Sequence, residues 1–174
     1  MTVKKKKVVK LKPITTIEME EAIARKFGVR TNIIVPNISW GLRGMHECDL
    51  FIIKDSGYCV EIEIKRSKSD LLADFKKGHH HQDSRIKEFY YALPISLLKS
   101  CESLIPKHAG IITCDRSEYG KKIVFASFYR SPTAKRDAVK LSHAEQFKVA
   151  RLGTMRIWSL KNKIIKLQNE KAKG

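Results

Sequence analysis

Asp49, Glu63 and Lys65 are the residues of this chain whose types and spacing could do chemistry. Glu61, Glu63 and Lys65 alternate with Val60, Ile62 and Ile64, which sets the charged trio on one face of a strand. The preceding run, Cys48 to Lys54, reads as its hairpin partner. Asp55-Ser56-Gly57 suits a three-residue loop with glycine in the left-handed position. With Lys54 facing Tyr58, counting back puts Asp49 directly opposite Glu63. Opposed residues of a hairpin have Cβ atoms about 4.5–5.5 Å apart, and two carboxylates so placed repel unless a cation sits between them. A hard divalent ion such as Mg²⁺ takes carboxylate oxygens and keeps several waters. Lys65, the next side chain on that face, can orient a water or stabilise charge on a phosphate. Two acids, a metal and a lysine together can activate water against a phosphodiester. Glu61 shares the face and stands as an outer acid or a third ligand, ranked below Glu63.

The elements that must position these residues follow from local pattern. Thr15 to Phe27 reads as a helix stopped by Gly28. Ile23, Ala24 and Phe27 define its apolar side, and Glu20 falls on that side. A buried acid needs a partner: a metal or Lys65, unless the helix is rotated or a core arginine meets it. Residues 31–40 read as a strand that Pro36 bends or confines to an edge. Ser67 to Lys77 reads as a helix with a capping-box-like start at Ser67 and Asp70. Strands are expected at Glu88–Ala92, Gly110–Cys114 and Ile123–Tyr129, and a short helix at Ser96–Glu102. A long helix starts near Ser142, where Glu145 completes a capping box, while residues 131–140 form a basic loop. The pattern describes an α/β domain with a central mixed sheet and helices against it.

Bulk properties narrow the classes. At 174 residues the chain suits one ordinary domain, here 13–168, between a basic arm (1–12) and a basic tail (169–174). No apolar run approaches a membrane span, and the lysine-rich start has no apolar stretch after it, so a cytoplasmic protein is expected. Cys48, Cys59, Cys101 and Cys114 lack paired spacing and read as reduced, mostly buried thiols. Lys and Arg number 35 against 18 Asp and Glu, a net charge of +17. The first twelve residues carry +6 and residues 161–174 carry +4, which leaves +7 on the body. Basic tails attract polyanions without reading sequence, and they also serve simply as solubilising ends. The remaining excess favours nucleic acid over lipid.

Beside the site, Arg66, Ser67 and Lys68 are candidates for phosphate contacts, although Ser67 already has a capping role. His79-His80-His81 cannot all face one metal if helical, and reads better as a solvated helix end or a phosphate contact; His80 is kept as an auxiliary residue. Tyr90 and Tyr91, with Trp40 and Trp158, read as packing residues.

A helix with an acid, a strand, an Asp-bearing hairpin strand, and Glu63-Ile64-Lys65 followed by a helix resembles the PD-(D/E)xK nuclease superfamily. Cys48 stands where the motif name has proline. The stretch from Cys48 to Ile112 is more particularly similar to the MmcB-like DNA-repair endonuclease family. There Lys65 is followed by Arg66, Ser67, Asp70, Asp74 and Lys76. Phe89-Tyr90-Tyr91-Ala92-Leu93-Pro94, Ile105-Pro106 and Ala109-Gly110-Ile111-Ile112 come next. The Gln-xxx-Tyr of some branches is missing, since Ile86 lies four residues after Gln82. The resemblance implies a restriction-endonuclease-like core of αβββαβ order with helices on both sides, plus the long C-terminal helix. It implies an endonuclease that hydrolyses DNA with Mg²⁺ or Mn²⁺ in repair or processing. Asp49, Glu63 and Glu20 would be the metal-binding acids and Lys65 the catalytic lysine. A homodimer remains open, and a non-catalytic nucleic-acid-binding protein on the same fold is the alternative.

Overall fold

The hairpin forms in the expected register. Strands β2 (Cys48–Ile53) and β3 (Cys59–Ile64) pair antiparallel, with Leu50 opposite Ile62 and Phe51 opposite Glu61. Gly57 adopts φ 82°, and Lys54 N–H donates to the Tyr58 carbonyl at 2.9 Å to close the loop. The paired register ends at Leu50 and Ile62, and beyond it the Asp49 side chain meets β3 directly, Oδ2 accepting from Ile64 N–H at 2.7 Å.

This computed structural model describes residues 12–38, 47–76, 83–117 and 123–172. His80, Trp40 and nearly all of the basic arm lie outside the described residues. Six strands form one sheet in the order β1-β2-β3-β4-β5-β6. Strands β4 (Ile86–Pro94) and β5 (Gly110–Arg116) continue parallel from β3, while β1 (Ile33–Ile38) and β6 (Val124–Arg130) close the two edges antiparallel. Pro36 sits in edge strand β1, where a missing N–H is tolerated.

Helices cover both faces. Helix α1 (Thr16–Phe27) begins at a capping box between Thr15 and Glu18 and ends at Gly28, φ 83°. Its Met19, Ala22 and Ile23 pack on Leu50, Ile52, Val60, Ile62 and Ile64. The buried face is therefore centred on Met19 and Ile23, and Glu20 lies at its margin, half-buried, rather than within the stripe. The opposite face carries α2 (Lys68–Asp74), α3 (Ile95–Cys101) with a 3-10 turn at Glu102–Leu104, and α4 (His143–Lys171). Leu71, Cys101, Val149 and Leu152 from these helices pack with Phe51, Ile53, Cys59, Tyr91 and Ile111. Alternating strands bury both faces, so each face contributes its own core. All four cysteines are free and buried.

Three further expectations are corrected. Helix α2 ends at Asp74 instead of running to Lys77, which makes Asp74 part of its inward last turn. Trp158 is 60% exposed, so it is not a packing residue. Helix α4 starts at the Ser142–Glu145 capping box and approaches β1 so closely that a Cβ on Gly153 would meet Val35 Cγ2 at 3.1 Å. It then runs past the sheet edge, and from Ile157 onward every described residue is exposed. The helix also takes in residues 169–171 of the expected tail. Among the described residues, no helix is long and apolar enough to cross a membrane.

Candidate active site

Strand alternation brings Glu63 and Lys65 to one side of β3, and the short helix that follows returns Asp74 to the same place. Lys65 Nζ lies 2.7 Å from Glu63 Oε2 and 2.8 Å from Asp74 Oδ1. All three are almost fully buried. Tyr91, level with Glu63 on the neighbouring parallel strand, donates its hydroxyl to Asp74 Oδ2 at 2.8 Å. Burial pulls the lysine pKa down, but Glu63 and Asp74 outweigh it and hold it above its ordinary value, so Lys65 stays charged. Burial pushes the Glu63 carboxyl up; Lys65 opposes the rise, and the charges of Asp49 and Asp74 add to it. Tyr91 is held up by burial and by the Asp74 contact, so it remains a donor.

Asp49 stands at the end of the hairpin, where Oδ2 accepts a hydrogen bond from Ile64 N–H at 2.7 Å. Glu20 approaches it from α1. Burial raises the Glu20 pKa, the Asp49 charge raises it further, and a hydrogen bond from Asn37 works against both. Cys48 reports the same crowding: burial is the main cause of its raised thiol pKa, and Glu61, Glu63, Asp49 and Glu47 all add to it. Glu61 is fully buried on the Glu63 face.

Asn37 explains how the edge strand reaches the site. It has φ 52°, a left-handed conformation, and the β1–β2 register sets it against Asp49. This turn in the pleat lets Val35 and Ile38, three residues apart, enter the same core cluster, as Cys48 and Phe51 do across from them. Regular alternation would send such pairs to opposite faces. Asn37→Ala is expected to lose up to about 1–2 kcal/mol of stability, because asparagine, whose short side chain bonds locally, tolerates the left-handed region that costs alanine about that much, and Asn37→Gly less. Urea unfolding reads the difference; equal losses from the two variants would contradict the backbone argument.

The donor set suits a hard cation. Glu20, Asp49 and Glu63 offer only oxygen, and each pair that includes Asp49 is close enough to raise its partner's pKa. Glu63 uses Oε2 for Lys65, and its other oxygen makes no hydrogen bond among the described residues. Among those residues no three His, Cys, Asp or Glu side chains are already gathered as a metal cluster. A divalent ion would have to draw Glu20 and Asp49 inward to Glu63.

The other expected residues are placed less centrally. Arg66 is exposed, its Nε donating to the Ile14 carbonyl at 3.1 Å. The Ser67 hydroxyl caps α2 by accepting from Asp70 N–H, and Lys68 is exposed on the first turn. The sequence reading gave Asn37 no role, read Tyr91 as packing, and named Asp74 only within the family resemblance. Asn37 directly after Pro36 within a strand was a usable signal.

Comparisons with known proteins add the fold alone. No family model matches the chain, and no curated protein matches it either. Among solved structures, the chain is similar to the SPO1766 protein of unknown function from Silicibacter pomeroyi. The TM-score is 0.58 at 17% identity, over 95% of this chain and 98% of that one. The two share an α/β architecture of helices on a mixed sheet.

Proposed function

We propose that the protein is a Mg²⁺- or Mn²⁺-dependent DNA endonuclease of the PD-(D/E)xK kind, with a restriction-endonuclease-like core, acting in DNA repair or processing. The observation that carries this reading is that Asp49, bonded to Ile64 N–H, lies close enough to Glu63 for its charge to raise the Glu63 pKa, beside a buried, charged Lys65. Asp49, Glu63 and Glu20 would hold the ion, which supplies a water of lowered pKa and takes charge from a phosphate oxygen. Lys65, locked by Glu63 and Asp74, keeps a full positive charge beside the metal-binding acids and stabilises the charge that develops on the phosphate. Tyr91 fixes Asp74, and Asp74 fixes the lysine. Exposed Arg66 and Lys68, with the basic ends of the chain, bind the backbone phosphates. Cutting both strands of a duplex would call for two copies.

Incubation with plasmid and Mn²⁺ tests the reading. Wild type is expected to cut, and Asp49→Ala and Lys65→Ala are expected not to; equal cutting by all three would remove the site assignment. A binding-only protein is the second reading, which the net charge of +17 would serve equally and the buried acid–acid–lysine set argues against. Titration calorimetry separates the two, because a binding-only protein gives no Mn²⁺ heat.

The pH dependence has a definite sign. Glu20 and Glu63 hold their protons more tightly than an ordinary carboxyl of pKa 4.5. Folding with these groups ionised is unfavourable, so their cost is absent below 4.5 and grows as pH rises through the raised values. Metal must displace those protons. The rise in Tm caused by Mn²⁺ is therefore expected to be larger at about pH 8 than at about pH 5. Scanning calorimetry at both values reads it, and a pH-independent rise would contradict the assignment of these carboxylates.

A further inference from the structure

A cleft of about 340 Å³ opens at the carboxyl ends of the three parallel strands, between the start of α1 and the start of α3. Arg66 follows β3, Pro94 ends β4, and Cys114 to Arg116 end β5. Its volume falls in the range of about 300–1,000 Å³ of small-ligand sites, and the carboxyl ends of strands are where open α/β sheets bind ligands.

The lining divides into two kinds of surface. Ile14, Pro94 and Leu97 make an apolar wall. Lys12, Arg66 and Arg116 supply three cations, against Asp115 in the lining and Glu18, which pairs with Arg116. Arg66 is set in place by the bond from Nε to the Ile14 carbonyl, while its terminal nitrogens make no hydrogen bond among the described residues. Arg116 is braced by Glu18 at 2.8 Å, an ion pair that also holds Glu18 well below the usual carboxylate range, at about 2. An apolar wall beside fixed guanidinium groups matches a ligand with a flat, apolar face and an attached phosphate. Bases are held on apolar and guanidinium surfaces, and phosphates by arginine.

We propose that this cleft receives one unpaired nucleotide of the substrate strand, so that the preferred substrate carries a single-stranded segment. The proposal rests on the nucleic-acid reading above. Lys65 and Arg66 follow the end of β3 one after the other: Lys65 is bonded to Glu63 and Asp74 in the candidate active site, and Arg66 lines the cleft. A strand crossing the end of β3 meets both. A paired base cannot enter without leaving its stack, which disfavours continuous duplex.

Fluorescence anisotropy in EDTA tests this without cleavage. The probes are a labelled oligothymidylate, a blunt duplex of the same length, and free thymidine monophosphate as competitor. Ser96 is an exposed lining residue, so Ser96→Trp fills the mouth without removing a charge. Wild type is expected to bind oligothymidylate more tightly than duplex. Ser96→Trp is expected to weaken oligothymidylate about tenfold, the scale of one base contact, and to leave duplex affinity and the Mn²⁺ heat unchanged. Equal binding of oligothymidylate by both proteins, or no preference over duplex, would overturn the proposal. So would thymidine monophosphate competing as well per phosphate as the strand. Failure of the cleft leaves Mn²⁺-dependent cleavage intact, whereas failure of the nuclease reading leaves oligothymidylate binding intact.

Discussion

Lys65→Met is expected to lower both stability and activity, for separate reasons. In the wild type the ammonium lies within 2.8 Å of two buried carboxylates. Methionine keeps most of the apolar stem and removes the charge. Glu63 and Asp74 then face each other across a dry gap, and breaking a buried ion pair from one side costs about 3–5 kcal/mol. In urea the midpoint should fall accordingly. Cleavage should fall at least about 100-fold, the scale of losing one group that stabilises the transition state. Lys65→Arg restores the charge but forces a wider, planar head into the same space, so it should recover more stability than activity. A Lys65→Met protein as stable as wild type would mean that the buried triad does not hold this end of the sheet together.

Asp49→Asn is expected to separate the two properties. Asparagine can still accept the Ile64 N–H bond that Asp49 accepts at 2.7 Å. It removes the charge that raises the pKa of both Glu20 and Glu63. Stability at neutral pH should therefore hold or rise. Divalent binding should be lost, since a neutral amide oxygen replaces one of the carboxylates that would neutralise the ion. Cleavage should drop by about the same 100-fold or more. Calorimetry with Mn²⁺ and urea unfolding of the same sample check both halves. A large loss of stability would show Asp49 to be a structural acid, and undiminished Mn²⁺ binding would place the ion elsewhere. The contrast between the two variants carries most of the information, because a folding defect alone cannot make one weaker and the other no weaker.

The parts of this arrangement legible in sequence are those written in short-range pattern. Parity and a three-residue loop were enough to set the hairpin register as far as Leu50 opposite Ile62, because a hairpin's register depends only on its own residues. The capping box at Ser142–Glu145 is local in the same sense. Asp74 and Tyr91 were not legible, because their roles require α2 to fold back over β3 and β4 to lie beside β3. Strand neighbours and helix returns are tertiary facts that no local spacing states. Glu20 was placed on the correct helix but too near the centre of its buried stripe, since the stripe is defined by Met19 and Ile23 against the sheet. Trp158 misled for a related reason: an aromatic on an amphipathic helix packs only where there is something beneath it, and α4 outruns β1.

The central claim is that Asp49 and Glu63 form a cation site. A crystal soaked in Mn²⁺ and measured for anomalous scattering tests it most directly. The account predicts one peak in contact with carboxylate oxygens of both Asp49 and Glu63, with Glu20 drawn toward it and Lys65 still bonded to Asp74. A crystal with no peak there, and with Asp49 still bonded to Ile64 N–H and remote from any ion, would contradict it.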